Sequence, residues 1–337
     1  LAGEPVDVTD FLHVLTAEGV LDTEPDPTDE PPVDRTWQRC GRLLFSPVGW
    51  AVQVSLALAG AVAAIHNPSL RPHASDIVVA GSPLASVLVM SLAAVLCTLL
   101  HEAGHVLAAA ARGIPSRLSI GRRLYFLTAQ ADLTALWSLP RAQRLPPLLA
   151  GLSVDAALTG TLILAQTAGI PAPIANVLAA TVVLQVAAIV FQAAIFMRTD
   201  LYAVLATLSG SRNLWALKTA TFRQAIGRPT TDDHNLLTAA NRRERSWAIA
   251  YLALYLPGLA AAGWYLIAVS LPGLGYLITL TAAGLTQFNL GTLRTWESLA
   301  AIIFIAAPTA GTIAAAAIAG VRSLRASLEN RGQRIHP

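Results

Sequence analysis

The sequence predicts an all-α membrane protein with six or seven transmembrane helices and one short, membrane-associated β-like segment. Three observations carry this. The 337 residues are 54% hydrophobic and only 13% charged, where soluble domains carry about a quarter charged residues. The apolar residues gather into runs long enough to cross about 30 Å of hydrocarbon. The charges are uneven: ten of the twenty acids lie in residues 1–34, and basic residues crowd alternate loops, as they do on the cytosolic side of membrane proteins. Topology accounts for this basic excess. No aromatic–basic interleaving marks a nucleic-acid surface, so nucleic acid is not an expected partner.

Residues 1–36 are acidic and rich in proline, and read as a tail or as the end of a small cytosolic domain. Within them, Phe11, Leu12, Leu15 and Val20 fit the apolar face of one amphipathic helix over 8–21, followed by a disordered linker over 22–34. Residues 37–82 hold a first span (47–65) and an external loop. Residues 83–205 form a membrane core with spans at 83–100, 147–167 and 174–197. A cytosolic loop follows at 206–247. Spans at 248–268, 273–290 and 298–320 make up a C-terminal unit at 248–320, and 321–337 are a basic tail. The segment 273–290, with three glycines, is the weakest span. If it does not cross, there are six helices and the tail lies inside.

Arg35, Arg39 and Arg42 precede the first span, while the next loop has only Arg71. Arg112, Arg117, Arg122, Arg123, Arg141 and Arg144 follow the second span. These place the N-terminus in the cytosol of a multi-pass cell-membrane protein, of expected bacterial origin. The chain starts at Leu1 rather than methionine, as expected of a fragment or trimmed piece, and shows no secretory signal. Cys40 and Cys97 are far apart and lack metal-type spacing, so two free thiols are expected.

Residues 101–105 read His-Glu-Ala-Gly-His at the end of an uncharged run. Histidines at i and i+4 share one helix face and can bind one zinc. The glutamate between them, Glu102, is placed to take a proton from water. Ionisable groups at membrane depth are costly and usually functional. A catalytic zinc takes three protein ligands and leaves one position open, so a third is owed. Asp200 is the candidate. From Pro83 to His101 the helix rises about 27 Å, close to the hydrocarbon thickness, and the span before Asp200 covers a similar length in the same direction. Asp200 could otherwise be an N-cap or an Arg198 partner. Asp155 is the runner-up ligand, or else tunes the metal shell, shares a proton with Glu102 or contacts substrate. Asp232-Asp233-His234 also looks metal-like but reads as a solvated turn.

With these residues in place, the chain resembles the site-2 protease family of intramembrane zinc metalloproteases. That family pairs a His-Glu-x-x-His helix with a later helix bearing Asn-x-x-Pro and, eight residues past the Asn, Asp-Gly. Here Gln192 stands eight before Asp200. Gln192 replaces Asn, Ile195 replaces Pro and Leu201 replaces Gly. Ala150-Gly151-Leu-Ser-Val-Asp155 is similar to the family's Ala-Gly-Pro-x-x-Asn, with Asp155 for Asn. The likeness covers about 83–205 and is nearest the bacterial peptide zinc metalloproteases that accompany ribosomal-peptide modification.

The resemblance implies a three-helix metalloprotease core with one Zn2+ on His101, His105 and Asp200. It further implies Glu102 as general base and Gln192 as a donor to the substrate carbonyl. Strands at the membrane between motif and third span would capture an unwound peptide by strand addition, which agrees with the polar–apolar alternation from Arg117 to Arg122. The expected partners are the bilayer and a membrane-embedded or membrane-delivered peptide, with the oligomeric state open. A non-catalytic zinc-binding membrane protein, whether a metal carrier or a degenerate protease, is the alternative. A carrier should spread polar groups over many depths, and a degenerate protease should have lost Glu102.

Overall fold

The computed structural model describes residues 33–123, 126–195, 199–210, 214–286 and 288–307. The acidic segment 1–32, the tail 321–337 and most of the span 298–320 lie outside these. The architecture is that of an all-α membrane protein with one two-stranded sheet. Among the described residues, five helices are long and apolar enough to cross a membrane.

Helix α1 (Arg35–Leu44) starts where the Asp34 carboxylate accepts the Thr36 N–H at 2.6 Å. Helix α2 (Pro47–His66) is capped by Ser46, with proline at its first position, where the missing N–H costs nothing. The same device starts α3 (Pro83–Ala111), capped by Ser82. Two antiparallel strands follow, β1 (Arg117–Arg123) and β2 (Phe126–Asp132), with Arg117 opposite Asp132 and Leu118 opposite Ala131. The β-like segment expected between motif and third span is therefore a β-hairpin.

Helix α4 (Arg141–Gln166) is the hub of the bundle, packed between α2, α3 and α5 (Ala172–Gln192). Gly60 of α2 and Gly160 of α4 meet backbone to backbone, leaving no room for a Cβ on either. Small residues that let helices approach closely are how packing energy is gained in lipid. Buried polar side chains near α4 are paired, whereas the buried Ser298 hydroxyl has no hydrogen-bond partner among the described residues. Gln53 donates to the Leu44 carbonyl and accepts from the Ser153 hydroxyl, both at 2.9 Å. Leucines 88, 92, 96, 99 and 100 on α3 are exposed, as a lipid-facing surface requires.

The structure corrects two sequence expectations. First, the span expected over 174–197 stops at Gln192, and α6 (Asp200–Ser209) begins afresh at Asp200 with Thr199 as its N-cap. Asp200 is thus neither the end of a span nor an N-cap. Second, the spans expected at 248–268 and 273–290 are not separate. Helix α9 (Arg242–Tyr265) runs through a π-helical turn, Leu266–Ser270, into α10 (Leu271–Thr286) without reversing. The π turn explains the continuity. The Leu271 N–H reaches back to Leu266, a wider loop that accommodates Pro272, which cannot donate to the ladder. Residues 293–307 form a further helix, with Gly284 seated on Ser298.

Between α6 and α9 lie α7 (Leu214–Ala225) and α8 (Thr231–Ala239). Here Asp232-Asp233-His234 forms the first turn of α8 rather than an open turn. Thr230 and Asp233 form a reciprocal capping box, and Asp233 lies 3.5 Å from Arg223. Cys40 is exposed, Cys97 is buried, and both are free.

Candidate metal centre

Three elements build the site: α3 supplies His101, Glu102 and His105, α4 supplies Asp155 and Gly151, and the start of α6 supplies Asp200. The helical i, i+4 spacing brings the two histidine Nε2 atoms to 3.2 Å from each other. Asp200 Oδ2 stands 2.9 Å from His101 Nε2 and 3.3 Å from His105 Nε2. Donors about 2.0–2.1 Å from a tetrahedral zinc lie roughly 3.3 Å apart, so the three atoms fit one such ion. They are the only group of His, Cys, Asp and Glu among the described residues placed to hold a metal. His105 is buried, whereas the Asp200 side chain is 31% exposed, which leaves an approach on the Asp200 side.

The backs of the rings are fixed. His105 Nδ1 donates to the Pro147 carbonyl at 2.7 Å. A carbonyl only accepts, so this bond sets the tautomer and leaves Nε2 with its lone pair. His101 Nδ1 donates to Asp155 Oδ2 at 2.7 Å. Asp155 is buried, and its other oxygen accepts from Gln185 Nε2 at 3.3 Å. Asp155 thus stands behind His101, on the far side of the ring from Asp200, in the place of a carboxylate that orients a metal-binding histidine. Of the roles the sequence left open for it, this geometry matches the tuning of the metal shell. Neither a ligand position nor a contact with Glu102 is present.

Gln192 holds a different place from the one expected. Its side chain clamps Asp200 from both sides, with Nε2 donating to Asp200 Oδ2 at 3.0 Å and Oε1 accepting the Asp200 N–H at 3.1 Å. The Thr199 hydroxyl adds a bond to the Gln192 carbonyl at 2.8 Å. The eight-residue spacing is therefore spanned by a side-chain bridge across the break between α5 and α6. Gln192 positions the acid here and is not turned outward as a donor.

Glu102 faces the hairpin. Its Oε2 accepts the Ala131 N–H of β2 at 2.7 Å. Beside it a cavity of about 680 Å³ opens, lined by Glu102, His105, Asp200, Arg117, Trp137 and Arg144 among others. At its rim the Asp132 carboxyl is held below the usual carboxylate range by the Thr134 hydroxyl and N–H.

Sequence reasoning missed two contributors, Gln185 and the Ala131 N–H, and placed Gly151 in a motif without a role. Gln185 is a polar residue inside an otherwise apolar span, and that oddity is its signal. Gly151 leaves the space that a Cβ would take at 2.5 Å from His105 Nε2. The Ala131 N–H carries no signal in sequence, since any residue but proline supplies it. No protein-family model, curated protein or solved structure matches the chain, so its functional reading rests on this geometry.

Proposed function

We propose that the chain is an intramembrane zinc metalloprotease that hydrolyses a peptide bond of a membrane-embedded or membrane-delivered peptide near the cytosolic face. The observation that carries this is the joint placement of His101 Nε2, His105 Nε2 and Asp200 Oδ2 within 3.3 Å of one another, with Glu102 lining the same cavity. Held by these three residues, zinc would supply Lewis acidity. Asp155 and Pro147 keep both imidazoles in the tautomer whose Nε2 is free, and Gln192 holds Asp200 between them. Glu102 accepts the proton of the attacking water and returns it to the leaving amine. A helix hides its carbonyls in its own hydrogen bonds, so a substrate helix must unwind before it is cut. The hairpin beside Glu102 offers an edge on which an unwound strand can pair.

The test is paired: zinc content of purified protein beside cleavage of a membrane-peptide substrate, for wild type and Glu102→Gln. One zinc per wild-type chain with Glu102-dependent cleavage is expected. A zinc-loaded Glu102→Gln protein that cleaves at the wild-type rate would sink the proposal.

A further inference from the structure

The cavity lining carries two arginines that the hydrolytic chemistry does not use. Arg117, the first residue of β1, is exposed and lines the cavity. Its guanidinium makes no hydrogen bond or ion pair among the described residues, although Asp132 is its cross-strand partner. Arg144 lines the same cavity and is fixed in place. Its Nε and Nη2 donate to the Leu139 and Trp137 carbonyls at 2.6 and 2.8 Å, and its guanidinium lies 4.9 Å above the Trp137 ring. Each acid that lines the cavity has a partner of its own, Asp200 the two histidines, Glu102 the Ala131 N–H and Asp132 the Thr134 N–H at 3.0 Å. Asp132 keeps its charge beside Arg117 and is the competitor a substrate carboxylate must displace.

Resting on the protease reading, we propose that the cavity selects peptides with a carboxylate side chain beside the cut bond, and that Arg117 is the specificity-determining residue, seconded by Arg144. Register supports the reach. Arg117 lies one residue along and one strand across from Ala131, about 6 Å between Cα atoms, and the Ala131 N–H touches Glu102. The guanidinium therefore serves substrate positions within one or two residues of the reacting carbonyl. An arginine fork suits a carboxylate, and the fixed Arg144 loses little side-chain freedom when it binds one.

The test uses the full chain, zinc-loaded and carrying Glu102→Gln, in nanodiscs. One fluorescent peptide scaffold is varied to Glu, Gln or Lys at each position flanking the bond. Glu is expected to bind about tenfold tighter than Gln at one position, with the gap shrinking as salt rises. Arg117→Gln should reduce the gap to twofold or less, and Arg117→Glu should turn the preference to Lys. Arg117 is exposed, so both variants are expected to fold. Equal binding of the Glu and Gln peptides at every position, or a preference that survives both Arg117 variants, would overturn the proposal. Selection is read from binding and the reaction from turnover by the wild type. Turnover without preference therefore overturns the charge selection alone, and preference without turnover overturns the protease reading alone.

Discussion

Gly151→Ala is the sharpest single test of the metal centre, because it changes no donor. A Cβ on Gly151 would lie 2.5 Å from His105 Nε2 and 2.6 Å from His101 Nε2. Non-bonded atoms meet at about 3.5 Å, so one or both imidazoles must give way by about 1 Å. Zinc sites tolerate ligand displacements of only about 0.2 Å. The rings cannot swing back freely either, since Asp155 and Pro147 pin each at Nδ1. We expect zinc affinity to fall by at least the roughly 10- to 100-fold seen when outer-shell support is lost, measured by competition with a chromophoric chelator. Overpacking should cost the metal-free protein about 1–3 kcal/mol, offset in part by the better helix propensity of alanine, about 1 kcal/mol, so it should stay folded. Gly275→Ala is the control, as its Cβ would meet nothing within 4 Å, and it should leave zinc binding unchanged. A Gly151→Ala protein that binds zinc like the wild type would show that the Nε2 atoms do not converge over Gly151, and the site would be wrong.

The remaining substitutions separate the roles of the acids and amides. His101→Ala and Asp200→Ala should each remove the zinc, read by elemental analysis, because two ligands do not replace three. Asp155→Asn should retain zinc in excess metal but bind it about 10- to 100-fold more weakly; complete loss would restore Asp155 as a ligand. Gln192→Leu should also weaken zinc binding, since Asp200 loses its clamp, and unchanged affinity would return Gln192 to the substrate side. Glu102→Gln should keep zinc and fold while turnover drops at least 10²- to 10⁴-fold, the usual worth of a general base. At the start of α8, the Thr230 N–H holds the Asp233 carboxyl below its ordinary range. A depressed carboxyl contributes stability that is full above its unfolded value and is lost as pH falls through the folded one. Acid should therefore loosen α7 and α8, followed by amide hydrogen exchange, and Asp233→Asn should remove that part of the pH dependence.

Much of this site was legible because it is written in spacing. The i, i+4 histidines and the eight residues from Gln192 to Asp200 are readable as spacings even where the letters differ from those of the family the sequence resembles. The break between α5 and α6 was not legible. Residues 193–195 read Ala-Ala-Ile, which any apolar helix would accept, and the break is held from outside by the Gln192 side chain and by the Tyr251 hydroxyl donating to the Ile195 carbonyl at 3.2 Å. The fusion of α9 with α10 failed in the opposite sense. Three glycines mark 273–290 as a weak span, yet the helix runs into it through a single π turn at Leu266–Ser270. Gly273 and Gly284 are small because neighbours crowd them, Ile77 in one case and Ser298 in the other. Local propensity registers a glycine but not the partner that requires it.

The distribution of buried polar groups also bears on the choice between a protease and a metal carrier. Each polar group in lipid needs a partner, so a carrier must maintain a ladder of them across the membrane. Here the buried Asp155 and Gln185 serve His101, and Gln192 serves Asp200. Gln53 and Ser153 serve one another and the Leu44 carbonyl. Among the described residues there is no second cluster of metal-binding side chains to which an ion could step. The hydrogen bonds make the same point energetically. Each donor atom is held by a bond behind it or beside it, so the three stay converged on one point. A site built this way favours an ion that stays while something else moves past it. On the proposed reading, Glu102, beside the cavity and bonded to the hairpin edge, acts on what moves.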